Sequence, residues 1–317
     1  MKAAVRSKYG SPDVLRIQDI DKPTPKDDEV LIRVYAASVN RSDYHVLTGL
    51  PFVMRFFTGL FKPKLKVTGS DFAGEVEAIG INVRSFKIGD KVMGFGGGLG
   101  TGTHAQYVTF SENKRIVSMP GNITYEQAAA CLEGTYYAVI GINQLKPSAG
   151  QKALVYGATG AIGSAHVQFL KYYGVYITAV CGGENRELVR SWGADKIIDY
   201  KTEDFTKDKE QYDFVFDSVG KSTFLKCKHL LKKNGFYAPS GGAVNLFWLL
   251  VAPLLGSKKV LFIKDNKSNL SFIKELIEKG NFKPVVDRIY PLEKIAEAFT
   301  YVASGQKIGN VIIKMDD

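Results

Sequence analysis

The chain has 317 residues, 45% hydrophobic and 23% charged, proportions of a globular protein long enough for two domains with a core each. The formal net charge is +10, but the cations fall singly or in pairs such as Lys232-Lys233 and Lys258-Lys259, which predicts a solvated face and no specific nucleic-acid partner. Three separated cysteines, Cys131, Cys181 and Cys227, exclude a disulfide framework and fit reduced thiols in the cytoplasm, while the opening MKAAVRSKYG lacks an apolar secretory core and no transmembrane span is expected.

Residues 1 to about 120 read as β-rich. Lys2–Arg6, Glu29–Tyr35 and Gly74–Ile79 carry strand patterns, separated by the turn signals Asp21-Lys-Pro-Thr-Pro25, Gly89-Asp90 and the glycine cluster Gly94–Gly102. After about residue 122 the rhythm changes: strand 153–156, helix 161–172, strand 175–180, a helical Asn185–Trp192, strand Lys196–Ile198, a helical region after Tyr200 and strand Phe214–Asp217. Strands and helices alternating at this spacing predict a parallel sheet covered on both faces. Leu270–Lys279 and Leu292–Ser304 read as helices, and Asn310–Lys314 as a last strand.

The sharpest local signal is Gly157-Ala-Thr-Gly-Ala-Ile-Gly163, which follows the first strand of that rhythm and opens its first helix. A dinucleotide loop needs one glycine for a tight turn, a second where backbone approaches the pyrophosphate and a third where helix packs on strand. Aligned from its right end, the G-x-G-x-x-G pattern covers Ala158, Thr159, Gly160, Ala161, Ile162 and Gly163. Alanine then stands in the first glycine's place, and Gly157 is expected to relax the turn that Ala158 tightens.

Several stretches together resemble the medium-chain dehydrogenase/reductase superfamily, in particular its zinc-free quinone oxidoreductase branch. They are Ala37-Ser-Val-Asn40 with Asp43, Gly69-Ser-Asp-Phe-Ala-Gly74 followed by Val76, Gly80, Val83, Phe86, Gly89-Asp90 and Val92, the loop 157–163, Leu188–Asp195 with Ile198-Asp-Tyr200, and the closing Gly309-Asn-Val-Ile-Ile313. The resemblance implies an α/β chain: a GroES-like β-barrel catalytic domain over 1–121, completed by 266–317, and a Rossmann domain with a doubly wound parallel sheet over 122–265. It also implies a substrate cleft between the two and a homodimer.

Set against the zinc-dependent alcohol dehydrogenases, this sequence has Asn40 at the first Cys ligand, Ser70 at the His and Asp71 at the Glu, with Cys131 near the third ligand. One thiolate cannot make a catalytic zinc site, and His45, His104, His166 and His229 are unclustered, so no metal is expected. Without a Lewis acid the easier chemistry is hydride transfer to an electrophilic acceptor, a quinone or an α,β-unsaturated carbonyl, which needs donors for the developing oxyanion and a proton. Asn40 is the first candidate donor, Tyr44 the second, and Asp43 an orienting acceptor.

The expected cofactor is NADPH, with NADH as second choice. The second strand ends at neutral Cys181, followed by Gly182, and Asn185, Arg186 and Tyr200 offer donors to a 2′-phosphate. Glu184 opposes them unless it turns outward to pair with Arg186 or Lys201. Thr135 and Asn310 complete the candidate cofactor residues. Tyr136 begins the passage into the second domain and reads as core. Two aromatic stretches remain: Leu50–Phe61, a candidate wall for an apolar pocket, and Val244–Leu255, read as core or dimer contact. Competing readings are an NADP-dependent alcohol dehydrogenase of another mechanism and a non-catalytic NADPH- or RNA-binding protein.

Overall fold

The computed structural model describes residues 1–240, 248, 251, 260, 261 and 269–315, and they fall into two compact units. The first holds Met1–Gly134, Leu270–Lys279 and Lys283–Asp317, the second Thr135–Asn269 with Gly280–Phe282. Strands β1 (Lys2–Val5) and β2 (Arg16–Asp19) form an antiparallel pair. Next come β3 (Glu29–Val39), helices α1 (Arg41–Thr48) and α2 (Met54–Thr58), then β4 (Asp71–Ile79), β5 (Lys91–Phe95), β6 (Tyr107–Ser111), β7 (Ile116–Ser118) and α3 (Tyr125–Ala130). Helix α4 (Glu133–Leu145) leads into the second unit.

That unit carries β8 (Lys152–Tyr156), α5 (Ala161–Tyr172), β9 (Tyr176–Cys181), α6 (Arg186–Ser191), β10 (Lys196–Asp199), β11 (Tyr212–Asp217), α7 (Phe224–Cys227) and β12 (Leu231–Pro239). The chain returns to the first unit through α8 (Asn269–Glu278), β13 (Val286–Pro291), α9 (Ile295–Ser304) and β14 (Asn310–Lys314).

In the first unit a seven-stranded sheet runs β13-β14-β3-β4-β5-β7, with β6 also on β3. Long β3 makes this possible: two register shifts against β4 bend it, so Glu29–Arg33 pairs with β6 and Ala36–Val39 with β14. Alternate residues of β3, including Ile32 and Val34, reach a core with Phe72, Phe110, Phe299 and Val311. This is the GroES-like half. The second unit is a Rossmann-type parallel sheet of order β10-β9-β8-β11-β12, and Leu154, Val180 and Val215 anchor its core.

The predicted helix 161–172 and strand 310–314 fall on α5 and β14. The helical region expected after Tyr200 does not form: only a single 3-10 turn, Phe205–Lys207, stands there. The side chains divert the backbone, since Asp199 accepts from the Lys201 amide and Asp204 from the Thr206 amide. Half-buried Asp208 then fixes the exit by accepting from Lys196 and the Tyr212 hydroxyl. Of Val244–Leu255, only Trp248 and Val251 lie within the described residues; the rest of that expectation falls outside them. The Trp248 ring lies 5.8 Å from that of Phe224.

Candidate functional site

The loop 157–163 joins the end of β8 to the start of α5. Gly157 takes φ +80°, where a Cβ would meet the Val219 side chain at 2.0 Å. The left-handed turn is thus carried by Gly157 rather than by Ala158, so the three glycines of the motif are 157, 160 and 163. Ala158 is buried, and its amide and that of Gly157 both donate to Val180 O, at 3.1 and 3.0 Å. At Gly163 an added Cβ would meet the Gly157 carbonyl oxygen at 2.1 Å, which is the close helix–strand packing. Gly160 is different: it caps α5 with φ −73° and ψ 172°, and a Cβ there would meet only Gly157 O, at 3.6 Å.

The loop therefore leaves an open cradle in front of a helix N-terminus, beside half-buried Thr159, Ala161 and Ile162. The first amides of α5 have no partner within the helix, and the helix dipole adds partial positive charge. That combination fits the pyrophosphate of a dinucleotide. Asp217 supports the cradle from β11: its carboxylate accepts from the amides of Val219, Gly220 and Ser222 and from the Tyr237 hydroxyl, which fixes the Val219 turn against Gly157.

At the end of β9, burial pushes the Cys181 thiol up to about 11 and keeps it neutral. Glu184 pairs with Lys201 at 2.9 Å, one of the two partners expected, and its carboxylate lies over Gly182, where a Cβ would meet it at 2.6 Å. Asp199, which the sequence reading did not single out, lies across from Cys181 on β10, its carboxylate close to Gly183. Half-buried Asn185 and exposed Arg186 and Tyr200 follow in the same region.

The first unit gathers the second group of candidates at the junction of β3 and α1. Asn40 caps α1, and its amide NH donates to Asp43 Oδ2 at 2.9 Å. Its side-chain Nδ2 donates to Ser38 Oγ at 2.5 Å and Asp71 Oδ2 at 3.1 Å. Asp71 also accepts from the Ser38 amide at 2.7 Å. Glu133 accepts from Ser42 and, at 3.0 Å, from Ser70.

Three carboxyl groups are thus buried close together, and burial is the main cause of their shifts. Asp71 rises to about 7, Asp43 rises well above the usual carboxylate range, and Glu133 rises as well. Their mutual repulsion adds to the shifts of Asp43 and Asp71. Half-buried Lys307, driven down to about 8 by burial, is drawn toward the charged form by Asp287 and Glu133. Tyr44 packs against the barrel core with the Arg41 guanidinium 5.7 Å above its ring.

The sequence reading missed Glu133 and Lys307. A lone acid closing the apolar run Ala128–Leu132 was the available signal for Glu133, whereas Lys307 sits in a polar stretch, Ser304–Lys307, that reads as an ordinary loop.

These residues do not suit zinc. Asn40 and Ser70 offer an amide and a hydroxyl in place of the imidazole and thiolates zinc prefers. Burial pushes the Cys131 thiol far up, and its Sγ donates to Ala128 O at 3.0 Å. Among the described residues no three His, Cys, Asp or Glu side chains are placed to hold a metal ion. His104 bridges Thr68 and Ser38 O, and His166 meets Ser218 at 3.0 Å, so each serves packing.

Two cofactor candidates remain. Asn310, in the first unit, directs its side chain to Val285 O at 3.1 Å. Thr135 is buried, and its hydroxyl has no hydrogen-bond partner among the described residues. Tyr136 is buried too, as a core residue should be. Of the stretch Leu50–Phe61, four phenylalanines stand exposed.

Comparison with known proteins agrees with the geometry. Residues 26–121 match the family of alcohol dehydrogenase GroES-like domains, and residues 192–313 match the zinc-binding dehydrogenase family. An NADPH-dependent alkenal/one oxidoreductase of Arabidopsis thaliana is 34% identical, over 99% of this chain and 79% of its own. A 2-methylene-furan-3-one reductase of Solanum lycopersicum is 32% identical with the same coverage. The quinone oxidoreductase structure from Coxiella burnetii superposes with a TM-score of 0.90 at 26% identity, covering 100% of this chain and 99% of its own. With both halves of the fold and the glycine cradle in place, the chain belongs to the medium-chain dehydrogenase/reductase superfamily, in its quinone oxidoreductase branch.

Proposed function

We propose that the protein is a zinc-independent oxidoreductase that reduces a quinone or an α,β-unsaturated carbonyl with NADPH, NADH serving less well. The observation that carries this reading is the open cradle at Gly160, where the backbone leaves room in front of unpaired helix amides. The relatives' names, an alkenal/one oxidoreductase and a quinone oxidoreductase, support the acceptor class.

Bound nicotinamide supplies the hydride; everything else falls to the protein's own side chains. Thr159, Gly160, Ala161, Ile162 and Gly163 hold the pyrophosphate, with Ala158 behind them as buried support. Cys181, Gly182, Asn185, Arg186 and Tyr200 form the adenosine-side region, and a neutral Cys181 adds no charge of its own to that strand end, where Asp199 and Glu184 are the carboxylates nearby. Glu184 is already neutralised by Lys201 across an exposed pair, which is easily rearranged. Thr135, whose hydroxyl has no partner among the described residues, and Asn310 complete the cofactor residues.

In the first unit both Nδ2 hydrogens of Asn40 are engaged by Ser38 and Asp71, so Asn40 acts by positioning. Burial raises the Asp43 carboxyl well above the usual carboxylate range, and its Oδ2 accepts from the Asn40 amide, so Asp43 orients the turn that carries Asn40. Tyr44 is the remaining hydroxyl candidate. The reading includes a cytoplasmic homodimer: three buried free thiols fit a reducing compartment, and the apolar sequence 244–255 suits a subunit contact.

The test is a panel of quinones, 2-alkenals and simple alcohols, with NADPH or NADH, before and after exhaustive chelation. Reduction of quinones or alkenals that survives chelation is expected. Activity that vanishes on chelation and returns with zinc overturns the metal-free reading, and oxidation of simple alcohols alone overturns the acceptor class.

A further inference from the structure

Between Asp43 and Asp71 the chain carries no acidic residue, while Arg55, Lys62, Lys64 and Lys66 are all basic. The same segment exposes Phe52 at 55%, Phe56 at 64%, Phe57 at 63% and Phe61 at 87% of their surfaces. With about 200 Å² for a whole phenylalanine, these four rings alone present roughly 500 Å² to water. That already matches the largest apolar patch of a typical monomer, before Leu50 and Leu60 are added.

The patch is held in place by the chain beneath it. Tyr9 donates to Gly59 O at 2.6 Å and meets the Thr58 hydroxyl at 2.8 Å. Arg55 lies 4.6 Å over the Tyr9 ring and 5.5 Å over that of Phe52, and donates to Gly49 O at 3.3 Å. Phe52 and Phe56 meet edge to face at 6.0 Å. The rings project from an anchored turn, with exposed lysines at 62, 64 and 66 following directly in the chain.

We propose that this face docks on the surface of an anionic phospholipid bilayer, its phenylalanines entering the boundary between headgroups and acyl chains and its lysines meeting the lipid phosphates. Exposed aromatic side chains on a segment that carries cations and no acid are what such an interface accepts. A second copy of the chain is a poorer occupant. A two-fold contact places a patch against itself, which would bring the four cations of this acid-free segment together from each protomer.

The experiment is flotation of the full-length protein with vesicles of phosphatidylcholine, or of phosphatidylcholine mixed equally with phosphatidylglycerol. Binding to the mixed vesicles only is expected, released at about 1 M salt, where the Debye length falls to about 3 Å. Phe56→Ser with Phe61→Ser should abolish it, and Lys62→Glu, Lys64→Glu and Lys66→Glu together should weaken it at least about tenfold. The lysine variant alters no packed side chain, so it remains decisive if the phenylalanine variant fails to fold.

Absence of binding to the mixed vesicles overturns the proposal, as does equal binding to both vesicle types or wild-type binding by the lysine variant. A phenylalanine variant that changes only the oligomeric state, or only the KM for a water-soluble acceptor, while vesicle binding persists assigns the patch elsewhere and also overturns it.

Discussion

Gly160 and Gly163 lie one helical turn apart, yet the structure gives them opposite consequences on substitution. At Gly163 a Cβ would stand 2.1 Å from Gly157 O, whereas ordinary contact begins at 3.4 Å, so Gly163→Ala must move α5 off β8 by more than an ångström. Overpacking of that kind costs about 1–3 kcal/mol, and at about 2–4 °C per kcal/mol the melting temperature should fall by roughly 2–12 °C. At Gly160 the nearest atom to an added Cβ is 3.6 Å away and φ is −73°, a conformation alanine adopts freely. The small loss as a helix cap is offset by reduced unfolded-state freedom, leaving stability within about 1 kcal/mol. The methyl group instead occupies the space left for the pyrophosphate. Gly160→Ala should therefore weaken NADH and NADPH alike by about tenfold or more, equivalent to at least about 1.4 kcal/mol, and Gly160→Val should abolish binding of both. Thermal melts and nicotinamide-fluorescence titrations read the two effects separately. A Gly160→Val protein that binds either cofactor like the parent, or a Gly163→Ala protein with an unchanged melt, would refute the assignment of roles.

Glu184→Gln should tighten NADPH several-fold while leaving NADH nearly unchanged, and Cys181→Asp should weaken NADPH selectively; equal effects on the two dissociation constants would remove both residues from the 2′-phosphate region. Burial raises Asp71 to about 7 from 3.8, so its neutral form is favoured in the fold: its contribution is fully present below pH 4 and lost as pH rises through about 7, by roughly 4 kcal/mol at most. Buried His104 and His166, lowered to about 4 and about 3, act in the opposite sense, their contribution being lost as pH falls below 6.5. Urea unfolding of Asp71→Asn against the parent across that range isolates the first effect, and the variant should gain relative stability toward pH 7; a constant difference contradicts the burial argument. Finally, burial pushes all three thiols upward, so a thiol reagent at neutral pH should modify none in the native protein and three after unfolding, and rapid native labelling would show that one of them is accessible.

Sequence periodicity was sufficient for elements whose pattern and caps agree locally. Helix α5 starts after the loop glycines and strand β14 is a continuous apolar run, and neither depends on distant partners for its identity. The family motifs likewise brought Asn40, Ser70 and Asp71 into consideration before their contacts were known. Local pattern failed where side chains compete with the helix for backbone groups, as Asp199 and Asp204 do after Tyr200, and where a loop's geometry decides which glycine makes the turn, as at Gly157.

Legible along the chain are the alternation of two folds, the glycine loop and the residue types at the positions where zinc ligands stand in related enzymes. The roles of those residues come from the folded chain, because hydrogen-bond partners and burial are properties of packing between distant segments. Residue 133 reaches the serines at 42 and 70, and Asp71 reaches Ser38 and Asn40; no spacing along the chain encodes these meetings. Burial then shifts the carboxyl groups toward their protonated forms, since a charge taken out of water is stabilised only by the partners the fold supplies.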